Sequence, residues 1–153
     1  MLKYVTEEYE LLKPRDGDVG YDLRSMEEVT IWPGMQHKIR TGICVEIELP
    51  KLFDLVNAFL AKFGAKLDLS LIAKDRSSVA SKQVYTHAGV MDSGYRGELK
   101  ILLSNHGNMP HQIRKGDKIA QLLIVPVLTI ETERVLMLSD TVRGESGFGS
   151  TGV

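Results

Sequence analysis

The sequence has one cysteine, almost no net charge and no long apolar run, and each scarcity excludes a class of protein. A single cysteine, Cys44, among 153 residues cannot form an internal disulfide, which is typical of a protein from a reducing compartment. It lies in an alternating apolar stretch, so we interpret it as a core residue rather than a catalytic thiol. Lys and Arg number 19 against 20 Asp and Glu, and this balance lacks the basic excess typical of proteins that bind nucleic acid or anionic membranes.

Secretion and membrane insertion are not indicated either. No apolar run approaches the roughly 18 residues of a membrane span, and charges interrupt the segment MLKYVTEEYELL too early for a signal peptide. We therefore expect a cytoplasmic protein with no nucleic-acid or membrane partner. With 43% hydrophobic residues, the chain is long enough for one domain with a core and too short for two. We predict a single domain over 1–142 and a glycine-rich tail over 143–153.

Most of the chain has the period-two pattern of half-buried strands. In GICVEIEL, Ile43, Val45 and Ile47 alternate with small or acidic neighbours until Pro50 ends the pattern. The same period returns over 67–71, and a strongly apolar strand pattern follows a turn at 115–117. The repeated strand pattern predicts an all-β fold.

One segment breaks this pattern and predicts an amphipathic helix over about 51–63. Its apolar residues recur at helical spacing and Gly64 follows as a C-terminal cap. The stripe consists of Leu52, Leu55, Val56, Phe59, Leu60 and Phe63. Because so much apolar surface is costly to expose, we expect the helix to pack on the outside of the β core or across one of its ends.

The stretch AGVMDSGYRG, residues 88–97, carries the strongest candidate for chemistry. It places Asp92 between glycine-containing turns and Tyr95 three residues later. Glycines allow close backbone approach to a ligand, so the carboxylate can lie in a concave site. A plain β-hairpin with an aspartate in its turn has the same pattern, and the stretch alone does not decide between them.

Four other polar clusters raise the same question. Arg76, Ser77 and Ser78 offer a guanidinium and two hydroxyls that suit phosphate oxygens, or they form an ordinary turn. Gln121 interrupts an apolar strand either as a satisfied core amide or as a site donor. Asp22 alone would be a surface carboxylate, and RGESGFGSTGV over 143–153 is either a flexible tail or a segment that wraps a nucleotide.

Taken in order, the five clusters resemble the five motifs of the trimeric deoxyuridine triphosphate nucleotidohydrolases, the dUTPases. The matching stretches are VGYDL, DRSSVA, AGVMDSGYRG, GDKIAQ and RGESGFGSTG. The resemblance implies a distorted jelly-roll-like β-barrel, a homotrimer with active sites shared between subunits, and a flexible C-terminal arm that closes over a site. It also implies hydrolysis of dUTP to dUMP and pyrophosphate, with Mg²⁺ on the triphosphate.

The resemblance assigns roles to individual residues. Asp92 resembles the base that activates the attacking water, and Tyr95 resembles the ring that packs against the deoxyribose. The main chain around Thr86, Gly89 and Val90 is expected to read uracil through backbone hydrogen bonds. The remaining expected substrate contacts are Arg76, Ser77, Ser78, Gln121, Arg143, Phe148, Gly149, Ser150 and Thr151, and Asp22 is expected to help organise the metal indirectly, through its waters.

Some features depart from the family pattern. Ser78, Asp75 and Lys118 stand where glycine, proline and arginine are common in the family, and the helical segment over 51–66 resembles an insertion. A dCTP deaminase of the same fold is a rival, but that family has an arginine at the position of Ser81 and a glutamate at the position of Leu102. A second rival is a nucleotide-binding regulator that has lost catalysis.

Overall fold

The computed structural model describes residues 1–11 and 15–145, and most of these residues form β-strands. The strands are β1 (Leu2–Thr6), β2 (Tyr21–Arg24), β3 (Val29–Ile31), β4 (Gln36–Arg40), β5 (Ile43–Ile47), β6 (Ala65–Asp75), β7 (Val84–His87), β8 (Val90–Met91), β9 (Lys100–Asn105), β10 (His111–Ile113) and β11 (Lys118–Ile130). Two helices, α1 (Lys51–Leu60) and α2 (Ser77–Ala80), and a 3-10 turn over Ala61–Phe63 complete the described elements. The expected β-rich fold with a helix over about 51–63 is confirmed.

The strands pair in antiparallel sheets that divide the polar motifs between them. A four-stranded sheet has the order β2-β11-β6-β8, and a three-stranded sheet has the order β4-β9-β7. Two further pairs are β1-β5 and β10-β3. The longest ladder pairs β11 with β6 in continuous register from Ala120↔Asp75 to Ile130↔Ala65, so it brings the end of β6 beside the start of β11.

The core lies between these sheets. Leu23 and Leu122 come from the four-stranded sheet, and Ile39 and Leu103 come from the three-stranded sheet; all four are fully buried. Burial of each such side chain contributes roughly 1.5–3 kcal/mol. The core therefore fixes the two larger sheets relative to each other, and with them the positions of the polar residues at the ends of their strands.

In the part of the chain that the structure describes, no helix is long and apolar enough to cross a membrane.

Helix α1 is attached to the free edge of β6. The Asn57 side chain accepts a hydrogen bond from the Leu67 N–H at 2.7 Å and donates one to the Leu67 carbonyl at 2.9 Å. Strand β8 pairs with β6 only at residues 71–72, so this amide occupies backbone groups of a strand edge that β8 leaves uncovered.

The apolar stripe of α1 is only partly covered within one chain. Val56 and Leu60 are half-buried. The other four residues of the predicted stripe, Leu52, Leu55, Phe59 and Phe63, are 59–72% exposed. Helix α1 therefore lies along a strand edge of the β core and, in a single chain, presents one side of its stripe to solvent.

Candidate active site

A polar cleft of 740 Å³ lies where β2, β6 and β11 come together. Its lining includes Asp22, Arg76, Ser77, Lys118 and Gln121, so four of the expected site residues border one space. The proximity follows from the sheet order, because β11 pairs with β2 at Gln121↔Asp22 and with β6 at Ala120↔Asp75. A side chain at Gly20 would approach the Gln121 Oε1 atom to 2.7 Å, so the loop before β2 fits closely against this amide.

Three of the charged side chains in this cleft, those of Asp22, Arg76 and Lys118, are paired with one another. The Asp22 carboxylate lies 3.0 Å from the Arg76 Nε atom and 2.6 Å from the Lys118 Nζ atom. A polyanion entering the cleft would find two cations already oriented by one carboxylate, an arrangement that reduces the entropy lost on binding. The cleft is therefore suited to oxygen-rich anions such as phosphates.

The stretch DRSSVA forms a one-turn helix, α2, that the sequence did not predict. Arg76 takes an extended conformation (φ −85°, ψ 139°) immediately before it, and Ser77 and Ser78 are its first residues. The two serines are separated by this turn: Ser77 borders the 740 Å³ cleft, whereas Ser78 borders a neighbouring cleft of 430 Å³. A helix of one turn is too short to show a period in the sequence, which explains why it was missed.

Asp92 and Tyr95 border a different cleft, of 360 Å³. Asp92 is exposed, and the hydrogen bond from the Tyr95 N–H to the Asp92 carbonyl at 3.0 Å closes the turn between them. The same cleft is bordered by Val90, Glu98 and residues of β4 and β9. Strand β8 pairs with β6, whereas β9 pairs with β4 and β7, so the 88–97 stretch connects two sheets and is not a β-hairpin. The structure therefore places Asp92 and Tyr95 at the border of one cleft, on either side of a turn.

Gly97 determines where the Tyr95 ring lies. A Cβ atom at this glycine would overlap the Tyr95 ring and hydroxyl group. The hydroxyl group donates a hydrogen bond to the Glu98 carbonyl at 3.2 Å. The absence of a side chain at residue 97 therefore permits the observed ring position.

Glu98 anchors the end of the 88–97 stretch to β4 and the loop after it. Its side chain, 17% exposed, accepts a hydrogen bond from the Gly42 N–H at 2.8 Å and from the Arg40 Nε–H at 3.1 Å. Burial acts to raise the pKa of Glu98, but the Gly42 N–H and the Arg40 guanidinium together outweigh it and hold that pKa below its ordinary value.

The backbone before Asp92 is unusual at two adjacent residues. Ala88 has a positive φ of 50°, a conformation that costs a non-glycine residue roughly 1–2 kcal/mol. The Gly89 carbonyl accepts a hydrogen bond from the Ala73 N–H at 2.7 Å, and a Cβ atom at Gly89 would overlap the Ala73 carbonyl oxygen. A close approach to β6 thus fixes the main chain that leads to Asp92.

The backbone N–H of Thr86, a group expected to be open to uracil, already has a partner within the chain. Its N–H donates to the Asp75 Oδ1 atom at 2.5 Å, so this donor is already engaged. Its hydroxyl group, by contrast, is buried and has no hydrogen-bond partner among the described residues. The hydroxyl group, rather than the N–H, is the part of Thr86 that has unused hydrogen-bonding capacity.

The structure thus places the expected residues in two separate groups. The cleft that contains Arg76 and the cleft that contains Asp92 have no lining residue in common. Arg143 is exposed near the end of the described chain, and Phe148, Gly149, Ser150 and Thr151 lie outside the described residues. Sequence reasoning missed Arg15 and Asp18, which also border the larger cleft; the available signal was their position in the loop sequence just before Asp22.

A β protein with paired cations, an amide and a hydroxyl group around one cleft and an exposed carboxylate at another is suited to hold a phosphorylated small molecule. Comparison with known proteins makes this class specific. Residues 70–152 match the family model described as dUTPase, and the chain belongs to the dUTPase family. It is 43% identical over 139 residues to the deoxyuridine 5'-triphosphate nucleotidohydrolase of Clostridioides difficile, covering 89% of this chain and 85% of that protein.

Two solved structures show the same fold. The dUTPase of Staphylococcus bacteriophage 80alpha with dUPNHPP is 27% identical, with a TM-score of 0.79 over 100% of this chain and 99% of that chain. The dUTPase of phage phi11 of S. aureus, whose structure is described as revealing the coordination of a structural Mg(II) ion, is 24% identical, with a TM-score of 0.71 over 92% of this chain and 99% of that chain.

Proposed function

We propose that this protein hydrolyses dUTP to dUMP and pyrophosphate. Membership of the dUTPase family and 43% identity to a named nucleotidohydrolase support the reaction. The observation that carries it is the presence of both parts that the chemistry needs: a cleft with paired cations and an amide for the phosphates, and an exposed Asp92 beside Tyr95 for the attack and the sugar. One dUTP molecule would occupy both parts, because it contains a triphosphate and a nucleoside.

In this proposal the larger cleft binds the triphosphate. Arg76 and Lys118 supply positive charge, Ser77 supplies a hydroxyl group, and the Gln121 amide, which donates to the Asp75 carbonyl at 2.9 Å, is held at the cleft wall. Positive groups oriented before substrate arrives stabilise charge that spreads over the phosphoryl oxygens. Ser78 contributes to the turn rather than to this cleft.

The nucleoside part of dUTP is assigned to the 88–97 stretch. Tyr95 packs against the deoxyribose, and the backbone of Gly89 and Val90 reads the uracil edge. Asp92 orients a water molecule and accepts its proton as the water attacks the α-phosphate, so that the bond to the pyrophosphate leaving group breaks. An exposed carboxylate can perform this step because it is reachable by both water and substrate.

Mg²⁺ fits the donor chemistry of the larger cleft. Among residues 1–11 and 15–145, no group of three or more His, Cys, Asp and Glu side chains is placed to hold a metal ion. Mg²⁺ prefers oxygen ligands, keeps several waters and is commonly bound through substrate phosphates with one or two carboxylates. Asp22, whose oxygens already face Arg76 and Lys118, would hold it indirectly through water, and the bound ion would neutralise phosphate charge.

The protein acts as a homotrimer in this proposal, with each site built from more than one copy. The two clefts of one chain are separate, so a second copy is needed to bring Asp92 to the phosphates. The segment Val135–Leu138 is 49–102% exposed although all four residues are large and apolar, and such a run is normally covered by a partner. The arm over 143–153 then closes over bound nucleotide, with Arg143, Ser150 and Thr151 at the phosphates, Gly149 beside them and Phe148 on the uracil.

Pyrophosphate release from a panel of nucleoside triphosphates tests the reaction. We expect turnover of dUTP, no ammonia from dCTP, and a mass in solution of three chains. Ammonia release from dCTP would favour the deaminase. Binding of dUTP without turnover would favour a catalytically inactive regulator.

A further inference from the structure

We propose that Asp75 is a positioning residue that ties the phosphate cleft to strand β7, and this inference rests on the proposed function. Asp75 is the last residue of β6 and directly precedes Arg76. Its Oδ1 atom accepts a hydrogen bond from the Thr86 N–H at 2.5 Å, while its carbonyl accepts one from the Gln121 Nε2 atom at 2.9 Å. Asp75 thus contacts two segments that carry site residues, β7 and β11, and directly precedes a third site residue, Arg76.

The contact to Thr86 joins two sheets. Strand β7 is at the edge of the three-stranded sheet, and β6 belongs to the four-stranded sheet. An edge strand leaves outward N–H groups without strand partners, and a polar group without a partner is costly where water is excluded. The Asp75 carboxylate provides the acceptor that a neighbouring strand would otherwise supply, so it sets the spacing between the end of β6 and β7.

The position of this carboxylate is unfavourable for any role in attracting substrate. Asp75 borders the cleft assigned to the triphosphate, and a negative charge there repels phosphate. Asp22 already pairs with Arg76 and Lys118, so Asp75 is not needed to orient those cations. What remains is its oxygen as a hydrogen-bond acceptor, and an uncharged oxygen of the same shape would serve equally well.

The inference predicts different kinetics for substitutions that differ in one property. Asp75→Asn retains the oxygen and removes the charge, so kcat/KM for dUTP should stay within about threefold of wild type. Asp75→Ala removes the oxygen, and kcat/KM should fall at least tenfold, mainly through a raised KM because Arg76 and Gln121 lose their fixed relation. Asp75→Glu keeps the charge but displaces the oxygen, and it should lose about fivefold or more.

Glu27→Ala is the matched control. Glu27 is also a half-buried residue whose carboxylate accepts a backbone N–H of another segment, that of Arg40 at 2.8 Å. It borders neither the cleft of Arg76 nor the cleft of Asp92. We expect Glu27→Ala to keep kcat/KM within threefold, so that a large loss in Asp75→Ala reflects the link between the two sheets rather than the loss of any carboxylate that accepts a backbone N–H.

Amide hydrogen exchange at Thr86 tests the link without relying on turnover. Exchange should be slow in wild type and Asp75→Asn and at least tenfold faster in Asp75→Ala, or in Asp75→Glu if the alanine variant does not fold. Equal loss of activity in Asp75→Asn and Asp75→Ala, or unchanged exchange at Thr86, would overturn the proposal. Absence of dUTP turnover in wild type would instead overturn the proposed function. The exchange rates would still show whether the Asp75 carboxylate protects the Thr86 N–H.

Discussion

Replacing Gly89 with alanine perturbs the 88–97 stretch at one defined contact with β6. The added Cβ atom would overlap the Ala73 carbonyl oxygen, which belongs to the backbone of β6 and cannot rotate away. Relief requires β8 to move from β6, and this weakens the Ala73 N–H to Gly89 carbonyl hydrogen bond of 2.7 Å. Overpacking typically costs about 1–3 kcal/mol, and a hydrogen bond contributes about 0.5–1.5 kcal/mol.

The expected destabilisation of Gly89→Ala is therefore about 2–4 kcal/mol, or a fall in Tm of about 4–16 °C for a chain of this length. Because the 88–97 stretch carries Asp92, activity at a temperature where the variant remains folded should also fall at least tenfold. Gly94→Ala is the control: it lies in the same stretch, and its Cβ atom would meet nothing within 4 Å. Thermal unfolding and pyrophosphate release measure both effects, and equal behaviour of the two variants would refute the close-approach argument.

Three further predictions concern the same region and helix α1. Gly97→Ala should displace the Tyr95 ring and raise KM for dUTP severalfold while Tm changes little; an unchanged KM would show that the ring position does not matter. Since the pKa of Glu98 is lower in the folded chain than its ordinary value of 4.5, its stabilising effect is complete above about pH 4.5 and is lost as pH falls through the lower folded value. Wild type should therefore lose more stability than Glu98→Gln on acidification through that range in urea unfolding, and parallel curves would contradict this. Asn57→Ala removes both hydrogen bonds to Leu67 and should lower stability by about 1–3 kcal/mol without changing KM by more than threefold, whereas a selective loss of dUTP binding would make the helix part of the site.

Local sequence patterns predict much of this fold because burial imposes a period on each element. The alternation over 43–47 became β5, and the helical spacing from Leu52 to Phe63 became α1 with its following 3-10 turn. Asp22, Arg76 and Gln121 each lie in or next to a strand that the pattern predicts. The pattern does not say which strands pair, so the cleft that these residues form follows from the pairing of β11 with β2 and β6.

Long-range contacts were beyond sequence reasoning. The hydrogen bonds of Asn57 with β6 and of Asp75 with β7 depend on which strand edges remain unpaired, and no spacing in the sequence reports that. The divergence of Ser77 and Ser78 follows from a single helical turn. The exposure of Phe59 depends on where α1 lies along β6 rather than on its own amphipathic pattern.

The measurement that tests the central proposal most directly is turnover by Asp92→Asn with nucleotide binding measured in parallel. The amide keeps the size of the side chain and removes its basicity, so binding of a non-hydrolysable dUTP analogue should stay within about threefold. Pyrophosphate release should fall by about two orders of magnitude or more, the usual scale for loss of a general base. Near-normal turnover in this variant would contradict the assignment of Asp92 as the group that activates water.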